Sequence, residues 1–107
     1  MTEADPNIAA SAPDDILLAE VAQRNPDALE LLYDRHAPSV LGLVTRIVRD
    51  QAVAKRLLEE TFWQVWQMAG QFCGGGAVAT WIYRIARNQA LDHLRKQQML
   101  PRNVEFP

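Results

Sequence analysis

Apolar residues recur at three- and four-residue spacing over residues 14–98, and nowhere do they alternate with period two over a useful length. That pattern suits helices with one buried stripe and offers no candidate for a half-buried strand. The stripe is punctuated by residues that start or stop helices. Asn25-Pro26 pairs an N-capping side chain with a proline at the first helical position, and Asp27 follows near the positive end of the helix dipole. Asp50 is a second cap, Gly70 a stop, and Cys73-Gly74-Gly75-Gly76 a stretch that cannot be helix. Asp14 or Asp15 can cap a first helix to about residue 24, with Ile16, Leu17, Leu18 and Val21 as its stripe. A second helix carries Leu29, Leu32, Tyr33, Val40, Leu43, Val44 and Ile47, and Pro38 inside it should kink or split it. A third, to about residue 69, turns Val53, Leu57, Leu58, Phe62, Val65 and Trp66 inward. A last helix runs over roughly residues 77–98, with Pro101 beyond its end. The expectation is an all-α bundle of about four helices over residues 14–100. Residues 1–13, small, polar and rich in proline, should form a disordered tail, and residues 101–107 a C-terminal tail.

About half of the 107 residues are apolar, which suits one compact domain with its own core. No apolar run approaches the ~20 residues needed to cross a bilayer. Residues 1–13 lack the basic start and apolar centre of a signal peptide, so the expected compartment is the cytoplasm. Cys73 stands alone, which rules out a disulfide within the chain and leaves an incidental loop thiol or a redox-reactive one. The net charge of −2 conceals a gradient. Residues 1–34 hold eight acidic side chains against one basic, whereas residues 61–107 hold five basic against two acidic. A surface for phosphates belongs in the C-terminal part.

Catalytic constellations are missing. His36 and His93 lie far apart, no HExxH motif or Cys–His pair exists, and no Gly-Lys-Ser/Thr follows the three glycines. Glu59 and Glu60 are a poor acid/base pair, since adjacent helical residues diverge by about 100°. Neither an enzyme nor a cofactor is expected. The last helix says more. Trp81, Ile85, Asn88, Asp92 and Arg95 form one line along it, with Arg84, Arg87 and Leu91 beside them. Val78, Ile82, Ala86, Ala90 and Leu94 can serve the core. A cationic helix with aromatics at its start suits a single strand of nucleic acid. The plain alternative is a solvated basic face, with Arg84 or Arg95 paired to Asp92 and Trp81 simply buried.

The run Thr80-Trp81-Ile82-Tyr83-Arg84-Ile85-Ala86-Arg87-Asn88-Gln89-Ala90-Leu91-Asp92-His93-Leu94-Arg95 resembles the promoter-reading helix of bacterial sigma factors, in particular the extracytoplasmic-function class. The resemblance extends over about residues 14–98. Asp14-Asp15-Ile16-Leu17-Leu18-Ala19 looks like that family's opening helix, and residues 28–36 like its second. Residues 54–66, with Glu59-Glu60-Thr61-Phe62 and Val65-Trp66, look like the helix that docks on the clamp of RNA polymerase. The resemblance implies polymerase contacts at Arg56, Leu57, Glu59, Glu60, Thr61 and Gln64. It implies contacts to single-stranded promoter DNA of the −10 element at Gly75, Gly76, Ala77, Thr80, Trp81, Arg84, Arg87, Asn88 and Arg95. Of these, Trp81 is expected to be partly or wholly structural, as are Ile85 and Leu94, and Asn88, like Asp92, to organise the helix rather than read bases.

Four departures stand out. Lys55-Arg56 replaces acidic residues usual before the docking motif, and Glu59 replaces a frequent Gln. The loop before Thr80-Trp81 holds Gly74-Gly75-Gly76-Ala77-Val78-Ala79 where the family has polar, basic and aromatic residues. Such a loop can bind through backbone N–H groups. Finally, the resemblance does not extend to the −35-reading helix-turn-helix domain of a complete factor, and the expectation is either a piece of a longer factor or a sigma-like domain standing alone. The alternative function is a degenerate sigma-like module that binds an anti-sigma or other regulatory partner. An independent helix-turn-helix DNA binder is disfavoured by the acidic front half and by the lack of a short turn between two helices.

Overall fold

The computed structural model describes residues 11–72, 74 and 76–105, with side chains to Gln98. The expected disordered tail lies outside these except at residues 11–13; Cys73 and Gly75 also fall outside them. Among the described residues four α-helices follow in order: α1 (Asp14–Ala22), α2 (Pro26–Val48), α3 (Gln51–Met68) and α4 (Val78–Glu105), with a 3-10 turn (Ala69–Gln71) after α3. No strand occurs among the described residues, so the all-α expectation holds.

The caps largely form where the residue types place them. The Asn25 side chain accepts from the Asp27 N–H at 3.0 Å, with Pro26 beside it at the start of α2. Asp50 Oδ1 accepts from the N–H groups of Ala52 and Val53 at 3.0 and 3.1 Å. Arg49 ends α2 in the left-handed region at φ 58°. The start of α1 differs from expectation. Its N-cap position is Pro13, which offers no side-chain acceptor, and Asp14 is engaged elsewhere. Asp15 instead accepts from the neighbouring Ile16 N–H at 2.9 Å.

Two prolines are absorbed. Pro38 does not split α2: it sits exposed, where water can satisfy the Asp34 carbonyl that it leaves without a donor. Pro101 does not lie beyond the last helix, because α4 continues to Glu105. The proline φ of about −65° is itself helical, so only the bond to the preceding turn is lost.

Leu18, Val21, Leu32, Val40, Val44, Val65 and Ile82 are the largest apolar side chains sealed in the core. Each such burial contributes roughly 1.5–3 kcal/mol. Ala54, Ala86 and Ala90 are wholly enclosed as well and let the helices approach closely. Among the described residues no helix is long and apolar enough to cross a membrane.

A polar link ties α3 to α4 at the edge of this core. The Thr61 hydroxyl, with no solvent exposure, donates to the Leu57 carbonyl at 2.8 Å and lies 3.1 Å from Gln89 Oε1 on α4. A hydroxyl has one proton, so both contacts are satisfied when the Gln89 amide is turned to donate in return. Thr61→Val keeps the shape and removes the link. It should cost about 0.5–1.5 kcal/mol, read as a lower midpoint in thermal melting followed by circular dichroism.

Candidate nucleic-acid and protein interfaces

Burial of Val78, Ile82, Ala86 and Ala90 turns the opposite face of α4 outward, and Thr80, Arg84, Arg87, Asn88 and Arg95 are all exposed on it. At the start of the helix this face borders a half-open hollow of about 400 Å3. Gln71 and Phe72 line it from the segment after α3, Gly76 and Ala77 from the loop, and Thr80, Trp81 and Arg84 from α4. Phe72 meets Trp81 edge-on, with ring centroids 5.6 Å apart, so one side of the hollow is π surface. The loop side is backbone. Gly76 has φ +149° and Gly74 φ +75°, and neither has an atom within 4 Å of where a Cβ would stand.

Of the residues expected at DNA, the structure therefore gathers Gly76, Ala77, Thr80, Trp81 and Arg84 around one hollow. Arg87 and Asn88 lie outside it on the same helix, and Arg95 is farther along by about 16 Å of helix rise. Gly75 falls outside the described residues. Arg95 is engaged with Asp92 at 3.4 Å, and Lys96 reaches the same carboxylate at 3.3 Å. The Lys96 hydrogen bond and charge, with a smaller contribution from Arg95, hold the Asp92 carboxyl below its ordinary value. Arg84 and Arg87 make no ion pair among the described residues. The solvated-face alternative thus describes Arg95 and leaves Arg84 and Arg87 as open cations.

Phe72 and Gln71 did not figure among the expected site residues. An aromatic nine positions before Trp81, just after a helix stop, was the available signal for Phe72.

The second surface lies on α3. Arg56, Glu59 and Glu60 are exposed, and Gln64 is partly so, but Leu57 and Thr61 are buried. In this structure those two support the face from beneath. Arg56 Nη1 pairs with Glu60 Oε2 at 3.0 Å, one helical turn away, so the replacement of an acidic residue by Arg56 caps the carboxylate that resembles a docking contact. A hollow of about 320 Å3 joins Arg56, Glu60 and Gln64 to Gln89, Asp92, His93 and Lys96 of α4. On the other side of α3, Trp63 is 59% exposed and borders an apolar groove of about 420 Å3 with Pro26, Leu29, Tyr33, Phe62 and Trp66. Tyr33 meets Phe62 edge-on at 5.0 Å, and the Arg24 guanidinium stands 5.1 Å over the Trp66 ring.

A four-helix bundle whose cationic last helix begins at an aromatic-walled hollow defines a helical recognition domain. Comparison with known proteins makes this specific. Residues 32–99 match the family described as sigma-70 region 2, and the chain belongs to that family. It is 35% identical over 85 residues to the ECF RNA polymerase sigma factor SigK of Mycobacterium sp. strain KMS, an overlap of 78% of this chain and 44% of that protein. It is 43% identical over 72 residues to RNA polymerase sigma factor CarQ of Myxococcus xanthus, covering 67% of this chain and 41% of that one. The chain spans less than half the length of these curated relatives. Among solved structures, an engineered region 2 of sigmaE in complex with GTAAAA superposes with a TM-score of 0.76 at 27% identity, over 99% of this chain and all of that one.

The loop backbone gives a direct check on this geometry. Gly76→Ala forces a side chain into a conformation that L residues rarely adopt and should destabilise the domain by about 1 kcal/mol or more. Gly70→Ala, where φ is not positive and space is open, should be neutral or stabilise by up to about 1 kcal/mol. Parallel urea unfolding curves of the two variants measure the contrast.

Proposed function

We propose that this chain acts in the bacterial cytoplasm as the promoter-opening domain of a sigma factor of the extracytoplasmic-function class. In this reading it docks on the clamp of RNA polymerase through α3 and receives a single strand of the −10 element at the start of α4. It performs no chemistry of its own. The observation that carries the reading is the hollow walled on one side by Phe72 and Trp81, with Arg84, which makes no ion pair among the described residues, at its edge. A base lifted from the duplex needs a pocket and a π face, and the phosphates beside it need cations. Arg84 and Arg87 supply that charge from a helix held rigidly by its buried face. Thr80 supplies a hydroxyl at the pocket, while the loop offers backbone only. That the sigmaE region 2 neighbour is solved in complex with GTAAAA supports a nucleic-acid ligand for a domain of this fold.

The domain should prefer single-stranded −10-like oligonucleotides to duplex, with weak affinity that falls as salt rises. Each phosphate contact contributes a slope of about −0.7 on single strands. Replacing Arg84 and Arg87 together by Ala should lower affinity on all sequences and flatten the salt dependence, measured by fluorescence anisotropy at two salt concentrations. Equal binding by the double variant would remove these arginines from the site.

Docking rests on Arg56, Glu59, Glu60 and Gln64, with Leu57 and Thr61 shaping the helix below. Glu60→Lys should weaken polymerase capture in a low-salt pull-down, since complementary charge governs encounter and register. If the unmutated chain captures no polymerase, the second reading gains: a sigma-like module that binds an anti-sigma or other regulatory protein. The apolar groove around Trp63 favours that reading, because exposed apolar grooves of this kind mark protein contacts.

A further inference from the structure

The hollow at Trp81 shares its back wall with another. Phe72, Gly76 and Ala77 line both, and the second, of about 260 Å3, is closed on its far side by Asp14 and Asp15 at the start of α1. Carboxylates so near a path for phosphates are repulsive in themselves. Asp14, however, is not free. Its Oδ1 accepts from Arg35 Nη1 at 2.8 Å, and its Oδ2 lies 2.9 Å from His36 Nε2. A carboxylate only accepts, so Nε2 carries the proton of that bond. The same Arg35 Nη1 reaches the Ala12 carbonyl at 2.8 Å. His36 is buried on α2 and stands edge-on to Tyr83 of α4, with centroids 6.5 Å apart. Both oxygens of Asp14 thus fasten the first turn of α1 to α2, beside α4, and α1 also packs on the 3-10 turn that leads into Phe72.

The loop has few means of holding itself. Gly74 and Gly76 carry no side chains, and nothing approaches within 4 Å of their Cβ positions. At these two glycines only the flanking residues offer side chains to guide the backbone. We infer that Asp14 is a positioning residue for the base pocket: its clasp to Arg35 and His36 fixes the ledge behind Phe72, Gly76 and Ala77, and so maintains base preference without touching DNA. This rests on the strand-binding function proposed above.

The test compares the affinity of the 107-residue chain for a −10-like oligonucleotide and for its scrambled counterpart, by anisotropy below the melting temperature of each variant. Asp14→Asn removes a negative charge and breaks half of the clasp. It should lower the ratio of matched to scrambled affinity severalfold while leaving the salt slope as it is, because Arg84 and Arg87 are untouched. Asp15→Asn removes the same charge without the clasp, and should leave that ratio unchanged with binding equal or tighter on both strands. Should Asp14→Asn fail to fold, Asp14→Glu, which lengthens the side chain and keeps its charge, is held to the same fall in the ratio. Asp14→Asn tightening both strands equally would show that Asp14 acts only by its charge. An unaltered ratio, or an equal loss on both strands that follows the melting temperature, would likewise overturn the positioning role. If the unmutated chain binds both strands equally there is no base preference to maintain and the positioning role is overturned, whereas if it binds neither strand the strand-binding function itself fails and the positioning role falls with it.

Discussion

The close seating of α4 against its neighbours is the constraint on which the rest of this structure depends. Ala86 and Ala90 have no solvent exposure, and Ile82 fills the space beside them. Small side chains at this contact bring the helix axis near α2 and α3, and close packing of this kind leaves little freedom to rotate. With that face committed, the rotation of α4 is determined. Thr80, Arg84, Arg87 and Asn88 have no direction but outward. The cationic face is therefore a consequence of apolar packing on the opposite side.

The polar links within the bundle act on this frame locally. Thr61 and Gln89 join α3 to α4 through a hydroxyl that has no solvent exposure, where an unmade hydrogen bond is costly. Arg24 both donates to the Trp66 carbonyl at 2.7 Å and covers its ring, which fastens the α1–α2 turn to the end of α3. Asp14 does the same for the start of α1. Each of these residues joins elements well separated in sequence.

That separation explains what could be foreseen from the residues alone. Helix positions followed from local chemistry: Asn25-Pro26 and Asp50 are caps whose partners lie two or three residues away, and the core positions of α4 repeat at helical spacing. The long-range partners did not. Nothing near Asp14 announces Arg35 and His36, so it passes for a helix cap. Thr61 looks like an exposed member of an acidic motif until α4 is laid across it. Phe72 gains meaning only when the loop folds back and brings it against Trp81. Pro101 was misjudged for another reason: its ring forbids a bond to the preceding turn but leaves the helical φ intact. Arg56 shows a departure from a familiar pattern acquiring a physical role, since it closes an ion pair with Glu60.

The backbone wall of the pocket also bears on how such a domain can change over generations. Space is open beside both described loop glycines, so conformation alone restricts what can replace them. At Gly76, with φ +149°, almost any side chain strains the chain. At Gly74, with φ +75°, the backbone lies close to the left-handed region that Asn and Asp enter more readily than other residues. On the strand-binding function proposed above, a new base preference acquired through this loop therefore has a narrow path: a short amide or carboxylate at position 74, reached by one to three nucleotide changes, while position 76 stays glycine.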